Sequence, residues 1–144
     1  MHKQYTCSSL DDLDKTVLNI LTDCVESKIF CFIGNLGAGK TTLIKSICKG
    51  LGYQNEVTSP TYSLINHYSF QNINIFHMDL YRLTDVEEAL EVGIEEYLHS
   101  GHYCLIEWPQ LVIPLIDVLF YIVNISVDEN QNRNFEVTGT INPI

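Results

Sequence analysis

The stretch Gly34-Asn35-Leu36-Gly37-Ala38-Gly39-Lys40-Thr41-Thr42 is a complete phosphate-binding loop. A continuous apolar run at 29–33 precedes it, as in a strand buried on both faces of a parallel sheet. Apolar residues at helical spacing follow it until Gly50 and Gly52, which favour the end of a helix. Strand, glycine-rich turn and helix in this order predict an α/β fold with a phosphate site, because backbone N–H groups and the positive helix end face the anion.

The loop also indicates which of its residues would contact a nucleotide. Lys40 can reach the terminal phosphates, and the hydroxyl of Thr41 can ligate Mg²⁺. The alternative is a glycine-rich turn that binds no ligand, which the flanking strand and helix disfavour. The predicted nucleotide-binding residues of the loop are Leu36, Gly37, Ala38, Gly39, Lys40, Thr41 and Thr42.

The remaining patterns predict a single domain over residues 1–144. A hydrophobic stripe predicts a helix over 8–26, and a capping box at 84–87 predicts another helix, which Gly93 would break into two pieces. Only two residues separate the predicted strands at 62–70 and 73–80, so these strands would form an antiparallel hairpin. Further strands are predicted at 103–106, 118–127 and 135–141. We expect a P-loop NTPase-like α/β domain with a mixed, mostly parallel sheet and helices on both faces.

Composition describes a chain that can bury a core. Of its 144 residues, 46% are hydrophobic and 18% are charged, which is typical of a globular domain. No apolar run approaches the roughly 20 residues that span a bilayer, and the first residues do not resemble a secretory signal. The five cysteines form no Cys-x-x-Cys pair, which indicates reduced and mostly buried thiols. These features predict a cytoplasmic protein without a membrane segment.

The net charge of −10 at pH 7 weighs against direct nucleic-acid binding. A protein that binds a phosphate backbone needs a basic surface, whereas the eight lysines and arginines of this chain are scattered. Acidic residues are concentrated within 85–96. This segment is either a solvated helix face or a docking surface for a basic partner, and both interpretations can hold together.

Two carboxylates are candidates for the acidic group that Mg²⁺ needs beside a phosphate loop. Glu107 ends the apolar strand at 103–106, and Asp79 lies at the end of the less regular strand at 73–80. Either side chain could instead cap the turn that follows its strand. Glu107 is the better candidate for metal ligation, and Asp79 can share this role or orient the attacking water.

Two further positions adjoin the expected site. Ser59-Pro60-Thr61 follows the phosphate-loop helix, where nucleotide hydrolases place a switch threonine that meets Mg²⁺ and the γ-phosphate. Thr61 is therefore a candidate site residue. A lone tryptophan is usually a core residue, but Trp108 comes directly after Glu107, where its ring would sense nucleotide binding.

Four motifs follow one another along the chain: 34–42, Ser59-Pro60-Thr61-Tyr62, His77-Met78-Asp79-Leu80-Tyr81-Arg82-Leu83 and Ile106-Glu107-Trp108-Pro109. In their order and spacing, the chain resembles the TsaE (YjeE) family over essentially its whole length. Members are small bacterial ATPases required for the threonylcarbamoyl modification of the adenosine next to the anticodon in tRNA. One departure is Asn35, where an acidic residue is frequent in the family.

The resemblance implies a set of catalytic and metal-binding residues. Thr41 and Glu107 would hold Mg²⁺, the cofactor that accompanies ATP or ADP. Asp79 would be the family's motif aspartate and Thr61 its switch threonine. The candidate catalytic residues are therefore Lys40, Thr61, Asp79 and Glu107.

The resemblance also implies further nucleotide contacts and a protein partner. The start of the first helix, near Ser9 or Leu10, would help to enclose the nucleotide, and Trp108 and Arg133 complete the set of candidates. The family acts with a TsaD–TsaB pair, in which TsaD performs the transfer. ATP hydrolysis by this chain would support turnover of that complex.

Two other functions are compatible with the sequence. A small-molecule kinase uses the same kind of loop, but it gathers several arginines around the phosphoryl group, and this chain has only Arg82 and Arg133. Arg82 would face a partner or pair with an acidic neighbour. A non-catalytic nucleotide sensor is the second alternative. Because arginine is scarce, we expect slow hydrolysis by the isolated chain and stimulation by its partners. A GTPase is excluded, since its guanine-reading motif is missing.

Overall fold

The apolar run before the phosphate loop forms a central strand of a seven-stranded sheet. A computed structural model describes residues 1–35, 39–60 and 63–142 of the chain. Its strands are β1 (His2–Cys7), β2 (Ile29–Ile33), β3 (Ile65–Phe70), β4 (Ile73–Asp79), β5 (Tyr103–Glu107), β6 (Phe120–Val127) and β7 (Arg133–Thr140). Its α-helices are α1 (Leu10–Asp23), α2 (Lys40–Leu51), α3 (Val86–Glu91) and α4 (Ile94–Leu98).

The sheet is mixed and mostly parallel, as predicted. The strand order is β1-β7-β6-β2-β5-β4-β3. Strands β6, β2, β5 and β4 are parallel to one another, and β3 pairs with β4 as the expected antiparallel hairpin. Strand β7 is antiparallel to both β6 and β1, so β1 runs in the direction of the central strands. The carboxyl ends of β2, β5 and β4 therefore meet at one edge of the sheet.

Helices cover both faces of the sheet, which confirms the predicted layering. Phe30 and Phe32 of β2 are buried on the face that α1 and α2 cover, whereas Ile29 and Cys31 are buried on the face that α3 and α4 cover. This alternation follows the two-residue period of a strand, and it explains why β2 is apolar throughout. Each fully buried side chain of this size contributes about 1.5–3 kcal/mol relative to exposure.

The helix ends show where the sequence signals act. Ser9 caps α1, because its side chain accepts a hydrogen bond from the N–H of Asp12. Gly52 ends α2 in the left-handed conformation with φ of 112°. Gly93, with φ of 80°, separates α3 from α4 as predicted.

The predicted capping box at 84–87 is wrong by one residue. Asp85 is the cap, and its side chain accepts from the N–H of Glu88 at 2.9 Å. The Glu88 carboxylate in turn accepts from the backbone N–H and the hydroxyl of Thr84. Thr84 therefore binds the side chain of Glu88, and Asp85 caps the first turn of α3.

Other boundaries differ from the sequence prediction near the chain ends and in the loops. Strand β1 was not predicted, because its sequence is mostly polar and lies exposed at the edge of the sheet. The helix predicted over 8–26 ends at Asp23, and β7 begins at Arg133 rather than at 135. The five cysteines are free and buried, as expected. Among the described residues, no helix combines the length and the apolar character needed to cross a membrane.

Candidate functional site

The sheet topology brings the two candidate carboxylates together beside the first turn of α2. In the parallel pairing of β4 with β5, Asp79 is the register partner of Glu107. Glu107 is also the partner of Phe32 at the end of β2, after which the phosphate loop begins. The site thus lies at the carboxyl ends of parallel strands, where open α/β sheets commonly bind ligands.

A cavity of about 480 Å³ collects most of the predicted site residues. It also contains Asn35, Ser59, Tyr81 and Arg82, which places both arginines of the chain at the site. The position of Arg82 was left open by the sequence. The predicted residues that line the cavity are Gly39, Lys40, Thr41, Thr42, Asp79, Glu107, Trp108 and Arg133.

Four predicted site residues lie outside the part of the chain that the structure describes. They are Leu36, Gly37, Ala38 and Thr61. Their roles in phosphate binding and as the switch threonine stay predictions. The described ends of the same segments, Asn35, Gly39 and Ser59, line the cavity.

Glu107 and Thr41 are in direct contact at the base of the cavity. The Thr41 hydroxyl donates a hydrogen bond to Oε1 of Glu107 at 3.2 Å, and Glu107 is only 3% exposed. Ligands at adjacent corners of an octahedron with bonds of ~2.1 Å lie about 3.0 Å apart, so these two oxygens match the spacing that Mg²⁺ requires. The hydroxyl and carboxylate are also the hard oxygen donors that this ion prefers.

Asp79 has a different local role. Its Oδ1 accepts a hydrogen bond from the backbone N–H of Tyr81 at 3.1 Å, so the side chain caps the turn after β4. This is the turn-capping role considered as an alternative for both carboxylates, and the geometry gives it to Asp79. Asp79 nevertheless lines the cavity, where it can act on a bound water or phosphate.

Glu107 has a second contact that the sequence analysis missed. Its Oε2 lies 2.7 Å from Nε2 of His77, which is fully buried on β4. Nδ1 of His77 lies 3.2 Å from the hydroxyl oxygen of Tyr68 on β3. The motif that contains His77 does not by itself indicate a contact with Glu107. A signal was present, because a histidine in an alternating strand two residues before Asp79 points to the same face of the sheet.

Lys40 is held inside the site by two groups. Its ammonium donates to the carbonyl oxygen of Gly34 at 2.6 Å and lies 3.8 Å from the centre of the Trp108 ring. Burial lowers the pKa of Lys40 below its ordinary value, and the negative charges of Glu107 and Asp79 oppose that shift. An ammonium has three donors, so Lys40 has the capacity to bind phosphate oxygens beside the Gly34 carbonyl.

Trp108 reaches Lys40 because its backbone is in the left-handed region, with φ of 54°. Such a conformation in a non-glycine residue costs of order 1–3 kcal/mol, so the surrounding contacts must hold it in place. The ring also packs on Tyr81, with 4.9 Å between the ring centres. The turn after β5 therefore directs an aromatic face towards the phosphate loop.

Arg133 lies beside Gly39, at the end of the phosphate loop. A Cβ atom placed on Gly39 would lie only 3.1 Å from Nε of Arg133. Arg133 also lines an adjoining cavity of about 290 Å³, together with residues 7–10. Leu10 thus lies in the adjoining cavity, and Arg133 lines both cavities.

A larger cavity of about 600 Å³ lies elsewhere, around the C-terminal half of α2 and residues 52–57. Lys45 and Lys49 line it, and Lys49 forms an ion pair with Asp14. None of the predicted site residues that the structure describes lines this cavity. The candidate functional site is therefore the smaller cavity, beside the phosphate loop.

The comparison with a solved structure supports the fold. The crystal structure of Bacillus subtilis YdiB superposes with a TM-score of 0.77 and covers 99% of this chain and 87% of that chain. The sequence identity in this superposition is 22%, so the likeness concerns the fold.

Sequence comparison identifies the family. A family profile described as threonylcarbamoyl adenosine biosynthesis protein TsaE matches residues 7–135. The tRNA threonylcarbamoyladenosine biosynthesis protein TsaE of Haemophilus influenzae is 43% identical over 112 residues, which are 76% of this chain and 68% of that protein. The Treponema pallidum protein of the same name is 35% identical over 78% of this chain and 82% of its own length. The chain therefore belongs to the TsaE family.

Proposed function

We propose that this chain is a Mg²⁺-dependent ATPase that acts in tRNA threonylcarbamoyladenosine biosynthesis. This pathway is the one named in the description of the family and in the name of its Haemophilus influenzae relative. The observation that supports the chemistry best is the 3.2 Å contact between the Thr41 hydroxyl and the Glu107 carboxylate, beside the phosphate loop. This pair offers the oxygen ligands that a nucleotide-bound magnesium ion takes from such proteins.

The residues of the cavity divide the work of binding and hydrolysis. Lys40 would neutralise phosphate charge, and Thr41 and Glu107 would hold Mg²⁺, which supplies further positive charge at the phosphates. Asp79 would orient the attacking water from the neighbouring strand end. Arg133, whose guanidinium lies beside Gly39, would contact the nucleotide as well.

The proposed partner is a TsaD–TsaB-type complex, and hydrolysis by the chain alone would be slow. Only two arginines are present to stabilise charge that develops on the transferred phosphoryl group. The net charge of −10 also argues that the chain acts on tRNA through its partners rather than by direct binding.

The test is to incubate the purified protein with ATP and Mg²⁺, with and without the TsaD–TsaB complex, and to quantify all products. We expect ADP and inorganic phosphate, with a higher rate when the complex is present. A phosphorylated small molecule would instead favour a kinase. Binding of ATP with no turnover under either condition would favour a nucleotide sensor.

Lys40→Ala provides the binding control for this test. Removing the ammonium should weaken nucleotide affinity by at least tenfold, because the phosphates of the bound nucleotide lose the main positive charge that neutralises them. Lys45→Ala, on the exposed surface of the same helix, should leave affinity within about twofold, since exposed charges are screened. Isothermal titration calorimetry with ADP measures both. Equal affinity of the Lys40 variant and the unmodified protein would contradict the assignment of the site.

A further inference from the structure

We propose that His77 is a positioning residue, which fixes the Glu107 carboxylate so that one oxygen faces Thr41 and the metal position. This inference rests on the proposed Mg²⁺–nucleotide function of the same site. His77 does not line the cavity and is fully buried. It would act through Glu107, without contact to the nucleotide.

The two oxygens of Glu107 have different partners. Oε2 is 2.7 Å from Nε2 of His77, and Oε1 is 3.2 Å from the Thr41 hydroxyl. A carboxylate held at one oxygen by a short hydrogen bond has lost rotation about its last side-chain bond. Oε1 is thereby kept at the distance from Thr41 that an octahedral ion requires.

A hydrogen-bond chain continues from His77 to the loop that precedes the motif 59–61. The Tyr68 hydroxyl, 3.2 Å from Nδ1 of His77, donates to the carbonyl oxygen of Thr58 at 2.9 Å and accepts from the Asn66 amide at 3.3 Å. The neutral His77 tautomer that donates Nε2–H to Glu107 has an unprotonated Nδ1, so Nδ1 and the Thr58 carbonyl are alternative acceptors for the single proton of the Tyr68 hydroxyl. The position of Glu107 and the backbone of the 57–60 segment are thus connected through three adjacent strands.

Packing alone does not account for this buried polar pair. His77 is 0% exposed and Glu107 is 3% exposed, so both lose hydration. Replacing such a pair by apolar residues of similar volume is often neutral or stabilising. A hydrogen bond that orients a metal-binding carboxylate gives this pair a use, and loss of such partners typically lowers metal affinity or activity by about 10–100-fold.

The experiment compares His77→Leu with His77→Gln. Leucine fills the volume without a donor, whereas the glutamine amide can place an N–H near the position of Nε2 and donate to Glu107. Calorimetric titration of ADP with and without Mg²⁺ gives the factor by which the ion raises affinity. We expect His77→Leu to lose most of this factor, to keep its Mg²⁺-free affinity within about threefold, and to lose about 10–100-fold in Mg²⁺-dependent hydrolysis. His77→Gln should recover most of both losses.

Tyr68→Phe is the second variant, and it removes only the hydroxyl. It should lower the Mg²⁺ factor less than His77→Leu does, because His77 still contacts Glu107. If His77→Leu does not fold, the inference is tested by titrating His77→Gln and Tyr68→Phe with ADP, with and without Mg²⁺. An unchanged Mg²⁺ factor in His77→Leu, or in Tyr68→Phe if that variant must stand in for it, overturns the inference. Failure of the unmodified protein to bind ADP would instead overturn the proposed function.

Discussion

At the scale of single residues, Glu107 and Asp79 look alike in the sequence but differ in their contacts. Each ends a strand at the same edge of the sheet, and they are partners in the register of β4 and β5. Glu107 contacts the Thr41 hydroxyl, and Asp79 caps the N–H of Tyr81. The sequence at a strand end does not show whether its carboxylate will contact α2 or cap the following turn, because this depends on which loop or helix packs beside it.

Glu107→Gln should separate metal binding from nucleotide binding. The amide oxygen keeps an acceptor for His77, so the fold should be retained, but the negative charge that favours Mg²⁺ is gone. We expect Mg²⁺-free ADP affinity within about threefold of the unmodified protein and a loss of at least 10²-fold in Mg²⁺-dependent hydrolysis. A steady-state phosphate-release assay with a Mg²⁺ titration measures this. Normal hydrolysis by the variant would transfer the metal role to Asp79.

Asp79→Ala is the matched comparison at the neighbouring strand end. It removes the cap of the Tyr81 N–H, so the free energy of unfolding should fall by about 1 kcal/mol, as for other lost local hydrogen bonds. Chemical denaturation measures this change. The Mg²⁺ dependence of ADP affinity should persist, because Thr41 and Glu107 remain. If Asp79→Ala abolished this dependence, the assignment of Glu107 as the metal carboxylate would be wrong.

At the scale of elements, the sequence predicts best where a pattern is local. The order β2, loop and α2 follows from a short apolar run, a glycine-rich turn and a helical stripe within one segment. Strand β1 was missed because HKQYTC is a polar edge strand, with Cys7 its only buried residue. His77 was missed because its partner, Glu107, is 30 residues away on a neighbouring strand. Contacts of that kind depend on strand order, which a local pattern does not contain.

Helices α1 and α2 are joined by a polar contact whose loss can be measured. Asp14 accepts from the buried hydroxyl of Ser46 at 2.6 Å and from the ammonium of Lys49 at 2.7 Å. The ion pair is largely exposed and contributes only about 0.2–1 kcal/mol, to which the Ser46 hydrogen bond adds. We expect Asp14→Ala to lower the free energy of unfolding by roughly 1 kcal/mol at neutral pH.

This contribution should depend on pH with a defined sign. Lys49, and then Ser46, hold the pKa of Asp14 below its ordinary value near 3.8. The stabilisation is therefore complete above about pH 4 and is lost as the pH falls through the lowered pKa. Denaturation of Asp14→Ala and Asn19→Ala, an exposed control on the same helix, measures the difference at pH 7 and pH 3. An equal loss at both pH values would argue against a charged contact.

At the scale of the whole molecule, the buried core lies apart from the sheet edge that carries the candidate site. The cavity lies beyond the carboxyl ends of the central strands, whereas buried side chains fill both faces behind it. All five cysteines belong to the buried part. Their thiols therefore report on the integrity of the core, and not on the candidate site.

The folded protein should resist thiol alkylation until it unfolds. Burial raises the pKa of Cys48 and Cys104 to about 12 and that of Cys24 to about 11, so the reactive thiolate is suppressed as well as shielded. We expect mass spectrometry after iodoacetamide treatment at pH 8 to show little labelling of the native protein and five labels in guanidinium chloride. Since the unfolded thiols ionise near their ordinary pKa of about 9.0 while the folded ones stay protonated, stability should also fall as the pH rises above that value. Rapid labelling of the native protein at pH 8 would show that the core opens more readily than its packing indicates.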